Sequence, residues 1–405
     1  RREWRMRISV VIQRTILGLI AAVALVYAGD YLWARHLMAG GNSAALGSVM
    51  VHHEWDIPRK DVLVATKALA QYTSARNAVF DFSCDALDHC WATLLRDPMT
   101  GNRAWYFVRT DDGGKSWKSW RQSPGMAQVF FITPESGWGL SGSADSQSLA
   151  ETSDGGQTWR LLPPLPHVSP KTSDLIVQDF QFLDSRNGWI IGSRSGGLSY
   201  LARTTDGGES AKIGTEISEE FGVTRAIATA SVNRVWLFGN DSILYSEDSG
   251  QTWKQQVDKN GLRVGALTIE SARMRADGHG IAVGETGGAV ILKTDDFGQH
   301  WRIALQLDII TSLMDVTFWD DNHGCAVGRS TMLYCTEDGG TRWTGRDVLP
   351  EVLVNGHAGE TVFTKIAFLR NGQRGWAIRE LGYLYETNDG GASWHELDLL
   401  SAAGQ

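Results

Sequence analysis

The sequence predicts an all-β fold, a seven-bladed β-propeller, preceded by one N-terminal transmembrane helix. Three observations predict it. An octet of the form Ser/Thr-x-Asp-x-Gly-x-x-Trp recurs at blade-sized spacing. A second pattern, built around Gly-Trp, precedes each octet. An uncharged stretch, Thr15–Gly29, follows a strongly basic start.

The octet appears at Thr110–Trp117, Thr152–Trp159, Ser246–Trp253, Thr294–Trp301, Thr336–Trp343 and Thr387–Trp394. A further copy, Thr204–Ala211, has lost its Trp. Successive starts lie 42, 52, 42, 48, 42 and 51 residues apart. A self-similar period of this size marks stacked supersecondary units, and four short strands per unit make a propeller blade. The local chemistry is that of a turn. Asp and Ser/Thr side chains bind turn amides, Gly supplies positive φ, and Trp covers the turn with apolar area. The octet acids Asp112, Asp154, Asp206, Asp248, Asp296, Asp338 and Asp389 are therefore expected to be structural.

The second pattern is clear in blade 3, where Gln178–Phe182 is followed by Asn187–Gly192, and in blade 6, where Met314–Phe318 is followed by His323–Gly328. The Gly-Trp slot recurs as Gly137-Trp138, Val235-Trp236 and Gly375-Trp376, and blade 1 has Cys90-Trp91 there. Each unit thus reads as an inner strand, a turn, a strand ending in Gly, a third strand, the octet turn and an outer strand. Blade packing accounts for most of the 17 Trp, and the 45 Gly fit a fold rich in turns.

Residues 15–34 just reach the roughly 20 mostly apolar residues that a spanning helix needs, if Asp30 sits at the far interface. Tyr27, Tyr31 and Trp33 suit an aromatic belt, and the basic start places the N-terminus inside. A cleaved signal peptide is the competing reading, with Ile16–Val26 as its apolar region and Val26-Tyr27-Ala28 as its cleavage site. Both readings put the rest of the chain on the periplasmic or extracytoplasmic side. The expected organisation is a basic tail and membrane helix (1–36), a linker with a short extended or helical segment (37–76), the propeller (77–399) and a tail (400–405). Ser48–Glu54 could form a strand flanking the ring. His52-His53 would point opposite ways on such a strand, which argues against a metal pair.

Composition narrows the function classes. The formal net charge of -8 opposes binding to a phosphate backbone, so nucleic acid is not an expected partner. The 4 Cys fall in two local pairs. Aligned on the repeat, Cys84 takes the apolar slot held by Phe131, Phe182 and Phe318, and Cys90 takes the Gly slot. Cys325 takes the Trp slot, directly opposite Cys335 on the next strand of the hairpin 325–335. In an oxidising compartment both pairs are expected to be disulfides within a blade. No metal, cofactor or catalytic residue is expected.

The octet resembles the Asp-box, or BNR repeat, of sialidases and sortilin-type receptors. The combined pattern, Asp-x-x-Phe, then Gly-Trp-x-x-Gly, then Thr-x-Asp-Gly-Gly-x-x-Trp, resembles the photosystem II stability/assembly factor family over roughly residues 77–399. That resemblance implies a non-catalytic, extracytoplasmic binding protein whose partner is a membrane protein or membrane complex, with the bilayer reached through the N-terminal helix. It also implies contact through an Arg patch, for which Arg263, Arg273 and Arg275 of blade 5 are the candidates. The alternative is a carbohydrate-active propeller, sialidase-like or lectin. The sialidase Phe/Tyr-Arg-Ile-Pro motif has no counterpart in blade 1, which begins Asn77-Ala78-Val79-Phe80-Asp81. Glycoside hydrolysis needs two convergent carboxylates, and no such pair stands out. One polar constellation remains. Asp81, Asp179 and Asp315, with Gln128 equivalent, lie ten residues before their Gly-Trp slots. Facing the channel they would form an acidic ring for a cation or basic peptide; facing a neighbouring blade they would be structural acids.

Overall fold

The octet turns and Gly-Trp slots organise seven four-stranded antiparallel sheets, each built from consecutive strands. The computed structural model describes residues 77–404 except 86, 97–103, 142–146, 164–175, 194–198, 218–223, 259–261, 263–265, 308–310, 350–352, 355–356 and 359–360. The expected membrane helix and linker, Ser48–Glu54, His52-His53 and Arg263 lie outside the described residues. Among the described residues no helix is long and apolar enough to cross a membrane.

The innermost strands are Asn77–Cys84, Met126–Phe131, Ile176–Phe182, Thr224–Thr229, Thr268–Met274, Leu313–Phe318 and Phe363–Phe368, in blades 1 to 7. Each lies against the next, and the seventh lies against the first, so the ring is closed. A short hairpin, Leu353–Val354 with His357–Ala358, is inserted between blades 6 and 7.

The core follows the ring. Seven apolar clusters each join neighbouring blades, for example Trp189, Ile191 and Leu201 of blade 3 with Ile227, Val235 and Leu237 of blade 4. The Gly-Trp slot makes these layers. Trp91 stacks on Phe131 of the next blade at 4.5 Å and Trp138 on Phe182 at 3.7 Å. Slot glycines are required by their neighbours: a Cβ on Gly137 would lie 2.6 Å from the Phe131 ring.

Among the described residues blades 7 and 1 close the ring by side chains and packing, with no exchanged strand. Arg374 donates to Gly114 O at 2.8 Å, and Asn77 donates to Asp398 at 2.8 Å. Of the residues expected as a tail, Leu400 takes part in this closure. Asp398 caps a short helix, Leu399–Ala402, and Leu399 and Leu400 are buried against Val79 and Phe82.

Both expected disulfides are present, Cys84–Cys90 and Cys325–Cys335. Each joins residues directly opposite on adjacent strands, in the register the repeat alignment assigns.

Candidate functional site: the channel wall and the octet face

The octet turns share one geometry. The Ser/Thr hydroxyl accepts the amide of the second Gly-position residue at 2.7–2.9 Å and donates to the Asp carboxylate at 2.8–3.0 Å. The same carboxylate accepts the amide four residues on at 2.8–2.9 Å. The turn then docks on its own blade: the amide after each Asp donates to a carbonyl of the first hairpin turn at 2.8–3.1 Å. The copy without Trp keeps every one of these bonds, at Thr204, Asp206 and Gly208. Hydroxyl and amide donors from Ser116, Ser210, Thr252 and Ser393 hold Asp112, Asp206, Asp248 and Asp389 down at about 2. A carboxylate with such donors is committed to the turn and is a poor proton carrier at neutral pH.

The inner wall is built differently. Every innermost strand carries a β-bulge at the same height, at Phe80, Ala127, Gln178, Arg225, Glu270, Met314 and Thr364. A bulge re-aims the residues around it. The next residues, Asp81, Gln128, Asp179, Ala226, Ser271, Asp315 and Lys365, occupy one equivalent register position.

The three acids at this position act alike. Asp81 Oδ1 accepts Phe82 N at 3.0 Å, and its Oδ2 accepts Val129 N of the next blade at 2.9 Å. Asp179 accepts Phe180 N at 2.8 Å and Ile227 N of the next blade at 3.3 Å. Asp315 Oδ2 accepts Ile366 N of the next blade at 3.1 Å. These amides lie on inner sheet edges, where they have no ladder partner, and a buried unpaired amide costs about 1–3 kcal/mol.

Each acid is also reached from the preceding blade. Lys365 Nζ lies 2.9 Å from Asp81, and Asp81 holds the ammonium above its usual range. Ser271 Oγ donates to Asp315 at 2.9 Å and Arg273 at 3.3 Å. Gln128 Nε2 donates to Asp179 at 3.3 Å. Three acids thus staple six of the seven junctions. The remaining junction, between blades 4 and 5, is joined by the Asn240–Thr268 bridge and the Arg225–Glu270 ion pair at 3.3 Å.

The sequence-derived ring is therefore interrupted by cations. Lys365 escapes the ten-residue spacing because the first turn of blade 7 is one residue longer, which places it eleven before Trp376. Arg225 and Glu270 fall on bulges, which a periodic reading skips. Among the described residues no group of three His, Cys, Asp or Glu side chains is arranged to hold a metal. Of the candidate Arg patch, Arg273 belongs to the channel wall with its side chain 50% exposed. Arg275 sits in the following turn, paired with Asp277 at 2.6 Å and Asp321 at 2.9 Å.

Comparison with known proteins agrees with the repeat. Residues 296–402 match the family described as Photosynthesis system II assembly factor YCF48. The chain is similar to the photosystem II assembly-factor propellers. A curated relative, the photosystem II assembly lipoprotein Ycf48 of Synechococcus sp. (strain CC9902), is 35% identical over 100 residues, 24% of this chain and 27% of the relative. The match thus spans about a quarter of that relative's length. Two solved structures show the same fold. YCF48 bound to D1 peptide has a TM-score of 0.52 at 19% identity, covering 77% of this chain and 92% of that one. YCF48 from Cyanidioschyzon merolae has a TM-score of 0.53 at 17% identity, covering 77% and 96%.

Proposed function

We propose that this propeller is a non-catalytic, extracytoplasmic binding protein that supports assembly or stability of a membrane protein complex. The observation that carries the reading is the match of residues 296–402 to the assembly-factor family, on a ring of the same fold as YCF48 solved bound to D1 peptide. The channel geometry supports it. Each of the three inner-wall carboxylates is engaged by a backbone amide of the next blade and a side chain of the preceding one, which suits staples and does not suit a pair poised over a glycosidic bond.

Residues 15–34 would tether the propeller to the bilayer, in keeping with the lipoprotein character of the curated relative. The client contact would include Arg263 and Arg275. Arg273 is a less clean test residue, because Arg273→Glu sets a like charge beside Asp315.

The experiment is affinity purification of the full-length protein from gently solubilised native membranes, with mass spectrometry of what accompanies it. A stoichiometric membrane complex, lost in the Arg263→Glu/Arg275→Glu variant, supports the reading. A protein that purifies alone and binds on a glycan array overturns it in favour of the carbohydrate-binding alternative.

A further inference from the structure

Among the described residues four charged side chains are buried: Asp81, Lys293, Asp315 and Arg379. Three of them have a counter-charge. Lys365 lies 2.9 Å from Asp81, Asp295 lies 3.4 Å from Lys293, and Arg273 lies 3.3 Å from Asp315. Arg379, 9% exposed, has none among the described residues. Its Nη1 donates to the Tyr385 hydroxyl at 3.3 Å, and its guanidinium lies 4.2 Å from the Tyr383 ring centroid and 6.0 Å from that of Tyr385. The position is unusual as well. Three residues after the Trp slot stand Gly192, Gly239, Gly284 and Gly328 in blades 3 to 6, but Arg379 in blade 7. Crowding accounts for the glycines: a Cβ would lie 1.9 Å from Thr268 O at Gly284 and 2.0 Å from Ser312 O at Gly328. Blade 7 instead holds a long cation there, at the end of strand Gly375–Arg379 away from its octet. The two tyrosines belong to the apolar cluster that joins blade 7 to Val327 and Leu333 of blade 6.

We propose that Arg379 and the Tyr385 hydroxyl form a binding site for one oxyanion, a carboxylate or phosphate group, at the junction of blades 6 and 7. A buried charge without a partner is a cost that the fold carries, and an anion of opposite charge removes it. The local geometry suits that ligand. The Tyr383 ring covers a face of the guanidinium and leaves its edge for in-plane bonds, and the guanidinium fork matches a carboxylate or phosphate in two parallel hydrogen bonds. The Tyr385 oxygen accepts from Arg379, so its own O–H remains a donor for the same anion. At 9% exposure the guanidinium admits a single small acid group and excludes a folded acidic surface. The site is distinct from the Arg263 and Arg275 candidates of blade 5, and it does not rest on the assembly-factor reading.

The test titrates the full chain with sodium acetate and with sodium phosphate, at an ionic strength held constant by sodium chloride, and reads melting temperature and binding heat. Acetate or phosphate should raise the melting temperature saturably and give the heat of a single site; the anion that does so identifies the group the site takes, and a response to both supports the shared chemistry. Arg379→Met keeps a long side chain without the charge. It should abolish the response and should melt higher than the wild type in chloride alone, because the unpaired charge is gone. Tyr385→Phe keeps the ring and the guanidinium, and should weaken binding about tenfold, the worth of one hydrogen bond to a charged group. That variant carries the test if Arg379→Met does not fold, and undiminished binding in it overturns the proposed site. A wild type that responds to neither anion overturns the proposal. So does a response that persists in Arg379→Met, which is the general effect of excluded salts on a protein surface.

Discussion

The octet face and the channel wall are both made of aspartates that bind backbone amides, yet Asp179 of the wall is shifted in the opposite direction from the octet acids. On the octet face a hydroxyl and amides from the same turn surround each carboxylate, and four of the seven are held at about 2. In the channel wall the donors come from neighbouring blades, and Asp179 is pushed up to about 6. The difference lies in solvent and in counter-charge. A local turn keeps its acid wetted and fully hydrogen-bonded, whereas the wall acids sit between blades, Asp81 and Asp315 buried and Asp179 half-buried. A motif repeated in every blade therefore reports on the turn it builds. A position that varies from blade to blade, such as the one shared by Asp81, Gln128, Ala226 and Lys365, reports on the ring.

The comparison is broken most severely where a turn meets the core. Gly156 is the second Gly of its octet, at φ +88, and a Cβ there would lie 2.2 Å from the Phe107 ring of blade 1. Gly156→Ala should cost about 4 kcal/mol, combining left-handed strain with overpacking. Gly287, at φ +73 with nothing within 4 Å of its Cβ position, isolates the strain alone. Gly287→Ala should cost about 1 kcal/mol. Chemical denaturation of the two variants separates the contributions; equal costs would show that the Phe107 contact is relieved by rearrangement.

The staple comes next in size. Asp81→Ala leaves the amides of Phe82 and Val129 without acceptors, at 3.0 and 2.9 Å from the lost oxygens. The expected loss is about 3 kcal/mol, because unsatisfied buried donors carry their full desolvation penalty. Asp81→Asn should recover part of it. Lys365, with its side chain 41% exposed, can turn to channel water, so its share of the loss is small. Hydrogen exchange at Val129 checks the assignment, since that amide should lose protection more than amides of blade 5.

Acidification sharpens the contrast without any substitution. The unshifted value for Asp is 3.8, and Asp112, Asp206, Asp248 and Asp389 are lowered to about 2 when folded. An acid lowered on folding contributes stability above its unfolded value and loses it as pH falls through the folded one. The ring should hold to about pH 4 and unfold progressively between about 4 and 2. Asp179 works the other way at higher pH. The stability profile should therefore peak between about 4 and 6, and a profile rising monotonically to pH 8 would show that the channel wall makes no such contribution.

Much of this was legible in the sequence, for a physical reason. The octet and the Gly-Trp slot are local devices, and local hydrogen bonding and stacking repeat whenever their residues do. The disulfides were legible because Cys84, Cys90, Cys325 and Cys335 occupy slots whose partners the other blades reveal. The channel wall was only half legible. Asp81, Asp179 and Asp315 showed through their constant spacing. Their cations did not, because Lys365 is displaced by one residue and Arg273 reaches Asp315 from the blade before. Bulges are invisible to a period of two, so Arg225 and Glu270 carried no signal. Leu400 looked like part of a tail because a four-residue helix has too little sequence to display a face.

The smallest effect probes how far an octet turn tolerates departure from its pattern. Most copies place Gly after the Asp, but blade 5 has Phe297 there at φ 59. A bulky residue in this region carries about 1–2 kcal/mol of strain. Two contacts offset it. The Arg234 guanidinium of blade 4 lies 4.1 Å from the ring centroid, and Gly278 leaves the space into which the ring packs. An exposed cation–π contact contributes about 0.5–1 kcal/mol, so Phe297→Gly should change stability by less than about 1 kcal/mol. Arg234→Ala alone should be destabilising, because the strain then remains without its compensation. If both single variants are neutral and the double variant is additive, Phe297 and Arg234 do not act as a pair, and the blade 4–5 junction rests on the Asn240–Thr268 bridge and the Arg225–Glu270 ion pair.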